Sequence, residues 1–245
     1  IGGGEIGSAV HAALERFVNA YPSGPLPPGA RATLRAFLRE GLTLQLLDAD
    51  FAVLMWPRLE KTIDFYLGFE AARRKTIKTI KTEVEGNLDI ILADGSVFAL
   101  TARADRIELN TDGSVTLVDY KTGTPPSNDE ILFGFASQLT LEAAMCARNA
   151  FGLGGKTETI EALYLKLGGA LGGKEKPVTF PKANFIDVAE NHYHGLIALL
   201  DQFRDPATPY PPRPFPKFAR RYNAYDHLAR VKEWSRGGEA EGGGV

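Results

Sequence analysis

The stretch that most constrains this chain is residues 103–122, RADRIELNTDGSVTLVDYKT. Two strand-like runs flank Asn110–Ser114, whose NTDGS composition is turn chemistry, so the segment reads as a β-hairpin. A three-residue loop, Thr111-Asp112-Gly113, with Gly113 in the left-handed conformation that such loops favour, sets Asn110 against Ser114. Counting back along both strands then puts Asp105 directly opposite Asp119. Side chains alternate between faces, so Asp105, Ile107, Leu109, Val115, Leu117, Asp119 and Lys121 share one side. Arg106, Glu108, Asn110, Ser114 and Thr116 take the other. One face is therefore apolar except at its end, where two carboxylates and a lysine meet.

Directly opposed residues have Cβ atoms about 4.5–5.5 Å apart, and like charges there repel. Two acids half-buried against Ile107 and Leu117 would raise each other's pKa. A divalent cation removes the conflict, because Mg²⁺ prefers one or two carboxylates together with waters and phosphate oxygens. Lys121 would then meet developing negative charge in the same pocket. Spacing alone leaves a second reading open, an Asp119–Lys121 surface ion pair with Asp105 solvated at a strand end. A two-residue turn would slip the register by one and put the two acids on opposite faces.

With 245 residues, 44% of them hydrophobic, the chain has material for one large α/β domain or two small ones. A net charge of −2 argues against nonspecific nucleic-acid binding through overall charge but leaves room for a local basic groove. Arg73-Arg74-Lys75, Lys78 and Lys81 form one basic stretch, the first four of them the candidate DNA contacts. Lys217, Arg220 and Arg221 form another. The single cysteine, Cys146, excludes an internal disulfide and any four-cysteine metal site within the chain. It sits among Leu141, Ala143, Ala144 and Met145, as a buried structural thiol would. No apolar run approaches transmembrane length and no signal peptide is visible, so no membrane partner and a cytoplasmic location are expected. The chain opens on Ile1-Gly2-Gly3-Gly4 without methionine, which reads as a piece of something longer.

Helical stripes place a first helix through Ile6, Val10, Ala13, Leu14, Phe17 and Val18, a second over about 30–47 and a third over about 51–74. Pro57 marks the start of the third or a kink in it. From Lys81 to Lys121 the period is that of strands, and Ala93-Asp94-Gly95 is a second hairpin signal, which together predict a three-stranded antiparallel meander. Its apolar parity is even through Val84, Leu88, Ile90, Phe98 and Leu100 but odd from Asp105 onward. A bulge near Arg103, or a sheet covered on both faces, would account for the switch. A helix over about 130–151, a strand over about 160–167, a further short strand-like run at Val178-Thr179-Phe180 and a helix over 187–203 follow. The segment 205–218 is proline-rich, a short helix is expected over Tyr225–Trp234, and the glycine-rich tail reads as disordered.

Asp105 followed by Asp119-Tyr120-Lys121 at the end of the next strand resembles the D…(D/E)-x-K pattern of the PD-(D/E)XK nucleases. Gly7-x-x-x-His11-x-x-Leu14-Glu15 resembles the helix that contributes a histidine ligand in the RecB-like branch of that superfamily. Tyr120-Lys121-Thr122-Gly123 and then Gln138-Leu139 resemble that branch's YKTG and Q-L motifs. The ending, Tyr225-Asp226-His227-Leu228-Ala229-Arg230-Val231-Lys232-Glu233-Trp234-Ser235, is similar to the C-terminus of AddB-type subunits, the nuclease-bearing partners of AddA in bacterial double-strand break repair. Two departures stand out. Glu142 occupies the place where the RecB-like pattern has tyrosine, four residues after the glutamine. One cysteine cannot hold the four-cysteine iron–sulfur cluster of many AddB proteins, so no such cluster is expected.

The resemblance implies an α/β fold of the PD-(D/E)XK type, a small central mixed sheet built around the 81–121 meander and flanked by helices. The nuclease domain would cover residues 1–204, with 205–236 as an extended segment and helix packed on it and 237–245 as a disordered tail. It implies a Mg²⁺-dependent deoxyribonuclease, with Mn²⁺ able to substitute, acting on single-stranded DNA beside an AddA-like helicase–nuclease subunit. His11, Asp105, Asp119 and the backbone carbonyl of Tyr120 would hold the metal. Lys121 would orient the attacking water or stabilise charge at the phosphate, and Gln138 would position water or phosphate. Glu83 would join them if the second hairpin also has a three-residue loop. A Cas4-like nuclease shares this core, and a nuclease-like module that binds without cutting is the non-enzymatic alternative.

Overall fold

A computed structural model describes residues 3–155 and 157–209 of the chain. The first hairpin forms with the three-residue loop. Asn110 N donates to Ser114 O at 2.9 Å, and Gly113 takes φ 88°. Strand β2 (Val97–Asn110) pairs antiparallel with β3 (Val115–Lys121), from Leu109 against Val115 to Arg106 against Val118. One more step along that register sets Asp105 against Asp119. Strand β1 (Ile77–Ile91) joins β2 through an equivalent loop, in which Leu92 N donates to Ser96 O at 2.9 Å and Gly95 has φ 82°.

The parity switch has a definite location. Thr82 pairs with Arg106 and Val84 with Ala104, but the intervening residues, Glu83 and Asp105, are not a registered pair. Glu83 adopts φ 51°, a left-handed conformation that costs a non-glycine residue about 1–2 kcal/mol. On one side of this break Val84, Leu100, Ala102 and Ala104 feed an apolar cluster that Ile107 and Leu117 join from the other side. The pairing keeps the same register on both sides of Glu83 and Asp105, so no extra residue is inserted and the bulge expected near Arg103 is not found; the sheet is covered on both faces, and the switch falls at the left-handed Glu83.

Five strands form one mixed sheet in the order β1-β2-β3-β4-β5, with β4 (Thr159–Leu167) parallel to β3 and β5 (Gly173–Pro177) antiparallel at the edge. The edge strand thus precedes Val178-Thr179-Phe180 rather than coinciding with it. Gly172 and Gly173 let β5 approach the preceding helical layer. A Cβ at Gly172 would overlap the Lys61 carbonyl, and one at Gly173 the Phe65 ring.

Helices α1 (Gly3–Ala20), α2 (Ala30–Gly41) and α4 (Trp56–Arg73) cover one face. There Leu14, Phe17, Leu34, Leu38, Ile63 and Tyr66 pack on Val118, Tyr120, Leu163 and Leu165. The opposite face carries α6 (Gln138–Ala147) and the start of α7 (Phe185–Phe203), where Leu139, Ala143, Met145 and Ala189 meet Ile107, Leu117 and Tyr164. Full burial of a Leu or Phe side chain stabilises by about 1.5–3 kcal/mol, so the two-sided β3 anchors the fold. Cys146 is buried in the second layer, and burial pushes its thiol up to about 12.

Three helices differ from their sequence periodicity. The second ends at Gly41, with a separate 3-10 turn at Gln45–Leu47. The third divides, because Asp48 caps α3 (Ala49–Leu54) through the amides of Asp50 and Phe51, while Pro57 sits in the first turn of α4. The segment after β3 also divides, into α5 (Asn128–Leu132), started by a Ser127/Glu130 capping box, and α6. Gly134 at φ 80° is the turn residue between them. Residues 1–197 form one compact unit; from 198 onward the described structure comprises the last turns of α7 and the chain up to 209. The helix expected over 225–234, and the basic residues Lys217, Arg220 and Arg221, lie outside the described residues. Among the described residues no helix is long and apolar enough to cross a membrane.

Candidate active site

Gly7 sets the position of α1. A Cβ there would lie 3.0 Å from Thr122 Oγ1, so the glycine lets the helix close on the residues just after β3. One turn further along, His11 reaches the sheet. Its Nδ1 lies 3.8 Å from Asp105 Oδ2, and its ring makes an edge contact with Tyr120 at 5.8 Å between centroids. Asp105 is held from the other side by the Tyr120 amide, which donates to Oδ2 at 2.9 Å. The strained Glu83 comes to the same place. One ligand atom from each of His11, Glu83 and Asp105 lies within 4.8 Å of the others. Burial and then the neighbouring Asp105 raise the Glu83 carboxyl above its ordinary value. Two carboxylates and an imidazole crowded at the left-handed Glu83 of the β1–β2 ladder offer a mixed oxygen and nitrogen donor set that a divalent cation can take.

Asp119 lies at the adjoining position of β3, 2% exposed. Lys121 Nζ stands 2.6 Å from its Oδ2, yet that oxygen has no partner in hydrogen-bond geometry. Burial raises the Asp119 carboxyl, with Asp105 adding to the effect and Lys121 and Gln138 opposing it. A buried carboxylate oxygen with an unfilled acceptor direction is what a cation-binding residue would present in the absence of the ion. The residues therefore fit the metal that the strand pattern implies.

Gln138 begins α6 and faces this group. Its Nε2 donates to Glu142 Oε1 at 3.1 Å. Glu142 is 4% exposed, and burial pushes its carboxyl up to about 8, reinforced by the charges of Asp119 and Asp105 and opposed by Gln138 and Lys121. Glu142 is thus a neutral acid at the margin of the site at pH 7 rather than a stray surface charge. Tyr164, registered beside Asp119 on β4, closes the same flank, with Lys121 Nζ 5.7 Å from its ring centre.

Tyr120 turns the other way. Its side chain is buried on the α1/α4 face, with the hydroxyl 3.3 Å from both Tyr66 Oη and Arg106 Nη1, so it meets the cluster through its backbone and through the edge contact of its ring with His11. The basic stretch divides. Arg73 pairs with Glu108 and Glu161 at 2.7 Å each, and the buried Arg74 pairs with Glu70. These two arginines therefore stitch α4 to the sheet instead of offering charge to DNA, a correction whose cause is the buried acids on Glu70 and Glu108. Lys75 and Lys78 are exposed.

A model of the PD-(D/E)XK nuclease superfamily matches residues 3–224. An uncharacterized protein of Rickettsia bellii is 26% identical over 214 residues, covering 81% of this chain and 25% of that protein. One of Rickettsia typhi is 30% identical over 152 residues, 61% of this chain and 18% of that protein. The chain thus spans a quarter or less of the length of these relatives. The crystal structure of SSO0001 aligns over 77% of this chain and 74% of its own at 14% identity, with a TM-score of 0.30.

Proposed function

The chain belongs to the PD-(D/E)XK nuclease superfamily, and we propose on that footing that it is a metal-dependent DNA nuclease domain acting on single strands. The observation that carries this reading is the convergence of His11, Glu83 and Asp105 beside the buried Asp119–Lys121 pair. His11, Glu83 and Asp105, with Asp119 and the Tyr120 carbonyl beside them, would hold Mg²⁺ or Mn²⁺. When bound, such an ion lowers the pKa of water and neutralises charge on a phosphate. The chain's own contributions are separate. The Tyr120 amide donates to Asp105 Oδ2 and holds that side chain in place. Lys121 stands beside the carboxylates, placed to meet charge developing on the phosphate oxygens. Gln138 has one amide hydrogen committed to Glu142, which fixes the plane of its side chain and leaves its carbonyl able to receive a hydrogen bond from the attacking water.

The similarity of residues 225–235 to AddB-type subunits supports a finer assignment, nuclease work on the 5′-ended strand beside an AddA-like helicase–nuclease during double-strand break repair. The test is single-turnover cleavage of a labelled single strand with and without Mg²⁺. Asp119→Ala should cut nothing and remain folded, since removing one of two apposed acids relieves repulsion. Lys121→Ala should bind DNA nearly as the parent does and cut about 10²–10³-fold more slowly. DNA binding with no metal-dependent cleavage by the parent would replace this reading with that of a binding module.

A further inference from the structure

Lys121 is the first of a row. It registers with Lys166 on β4, and Lys166 registers with Lys174 on β5. Ala162 and Tyr164 share the cluster of Ile107 and Leu117, whereas Leu163 and Leu165 join the opposite one, so the even residues of β4 face as Asp119 and Lys121 do. The three lysines therefore lie side by side on the active-site face, across three strands spaced about 4.8 Å apart. They sit at the carboxyl ends of the parallel strands β3 and β4, where open α/β sheets bind ligands.

Such a row costs stability, because like charges directly opposite in a sheet repel. Lys121 has Asp119 as its counter-charge. Among the described residues, neither Lys166 nor Lys174 forms an ion pair. Lys176 is a step further along β5 on the same face, but its ammonium is tied to the Pro126 carbonyl and burial lowers its pKa, with Glu130 and Lys174 the charges it senses. Edge strands often carry lysine to block sheet-to-sheet association, which accounts for Lys174 alone. It does not account for Lys166, half-buried on a strand with neighbours on both sides.

We propose that Lys166 and Lys174 form a phosphate track that carries a single DNA strand from the catalytic carboxylates across β4 to the β5 edge. The track rests on the nuclease reading and adds to it the path the strand takes beside the site. Each lysine would take one backbone phosphate, which gives affinity without base preference.

The experiment uses the chain with a fluorescent oligothymidylate, bound in EDTA over a series of NaCl concentrations. Lys166→Gln/Lys174→Gln keeps the aliphatic stems and removes both charges. Two lost phosphate contacts should flatten the plot of log K against log salt by about 1.4, at about 0.7 per contact for single strands. Lys166→Arg/Lys174→Arg should keep the parent slope. The parent's single-turnover cleavage with Mg²⁺ is measured alongside, as the check on the nuclease reading. A parent that binds and cuts, beside a glutamine variant of unchanged slope, overturns the track alone. A parent that neither binds nor cuts overturns the track and the nuclease reading together.

Discussion

Replacing Glu142 by glutamine should make the metal-free protein more stable at alkaline pH and change it little at acid pH. The carboxyl is 4% exposed and faces the charges of Asp119 and Asp105, which together with burial raise it from about 4.5 to about 8. A raised folded-state pKa means that this group's stabilising contribution is complete below about pH 4.5 and is lost as pH climbs through 8. At about 1.36 kcal/mol per pH decade, the loss is about 3 kcal/mol by pH 7 and 4–5 kcal/mol beyond pH 8. Against a total stability of about 5–15 kcal/mol, that is a large fraction. Glutamine cannot ionise, and its amide oxygen can still accept from Gln138, so the variant keeps the contact and drops the slope. Asp119, also raised, contributes the same sign of pH dependence to both proteins, and its repulsion with an ionised Glu142, absent from the variant, adds to the gap at high pH. Urea titrations in EDTA at pH 5 and 8.5 read the difference directly. A gap between variant and parent that is equal at the two pH values, or that favours the parent at 8.5, would falsify the placement of Glu142 against the acidic pair.

Two more outcomes follow from the buried charges. Arg106, fully buried, pairs with Glu70 and Glu108 and reaches Tyr66 Oη at 3.2 Å; Arg106→Leu should cost about 3 kcal/mol by removing the cation those two buried acids share, leaving Glu70 with Arg74 alone and Glu108 with Arg73 alone. A urea midpoint equal to the parent's would show that the network does not hold α4 to the sheet. His11→Ala should raise the metal concentration that gives half-maximal cleavage, and less so for Mn²⁺, which tolerates mixed nitrogen and oxygen ligands better than Mg²⁺ does. A metal titration identical to the parent's would return His11 to a packing role.

Much of this arrangement is legible before any fold is known, for physical reasons. NTDGS and the alternation around it specify one loop length, and loop length specifies register, so the facing of Asp105 and Asp119 follows from turn chemistry alone. Helix ends were harder to read. Gly134 and Asp48 are the turn and cap signals that divide two long periodic stretches, and apolar periodicity runs across both without a break. Glu83 is reached from the sequence only through the loop length of the second hairpin, because the parity switch disturbs the alternation that would otherwise place it. The Arg73–Arg74 pair shows the reverse failure. A basic run looks solvated in one dimension, and only the sheet reveals that Glu70, Glu108 and Glu161 absorb it. Lys166 and Lys174 carry no local signal at all, because a cross-strand row exists only once β3, β4 and β5 are in register.

The most direct test of the central claim is a crystal grown or soaked with Mn²⁺, read by anomalous scattering and repeated for Asp119→Ala. The account expects an ion in the parent whose ligands include Asp105, Asp119 and His11, at the roughly 2.0–2.3 Å distances of oxygen and nitrogen ligands to such cations. It expects that peak to vanish or weaken strongly in the variant. An empty cluster at saturating Mn²⁺, with Asp119 still closed on Lys121, or a peak unaffected by the loss of Asp119, would contradict it.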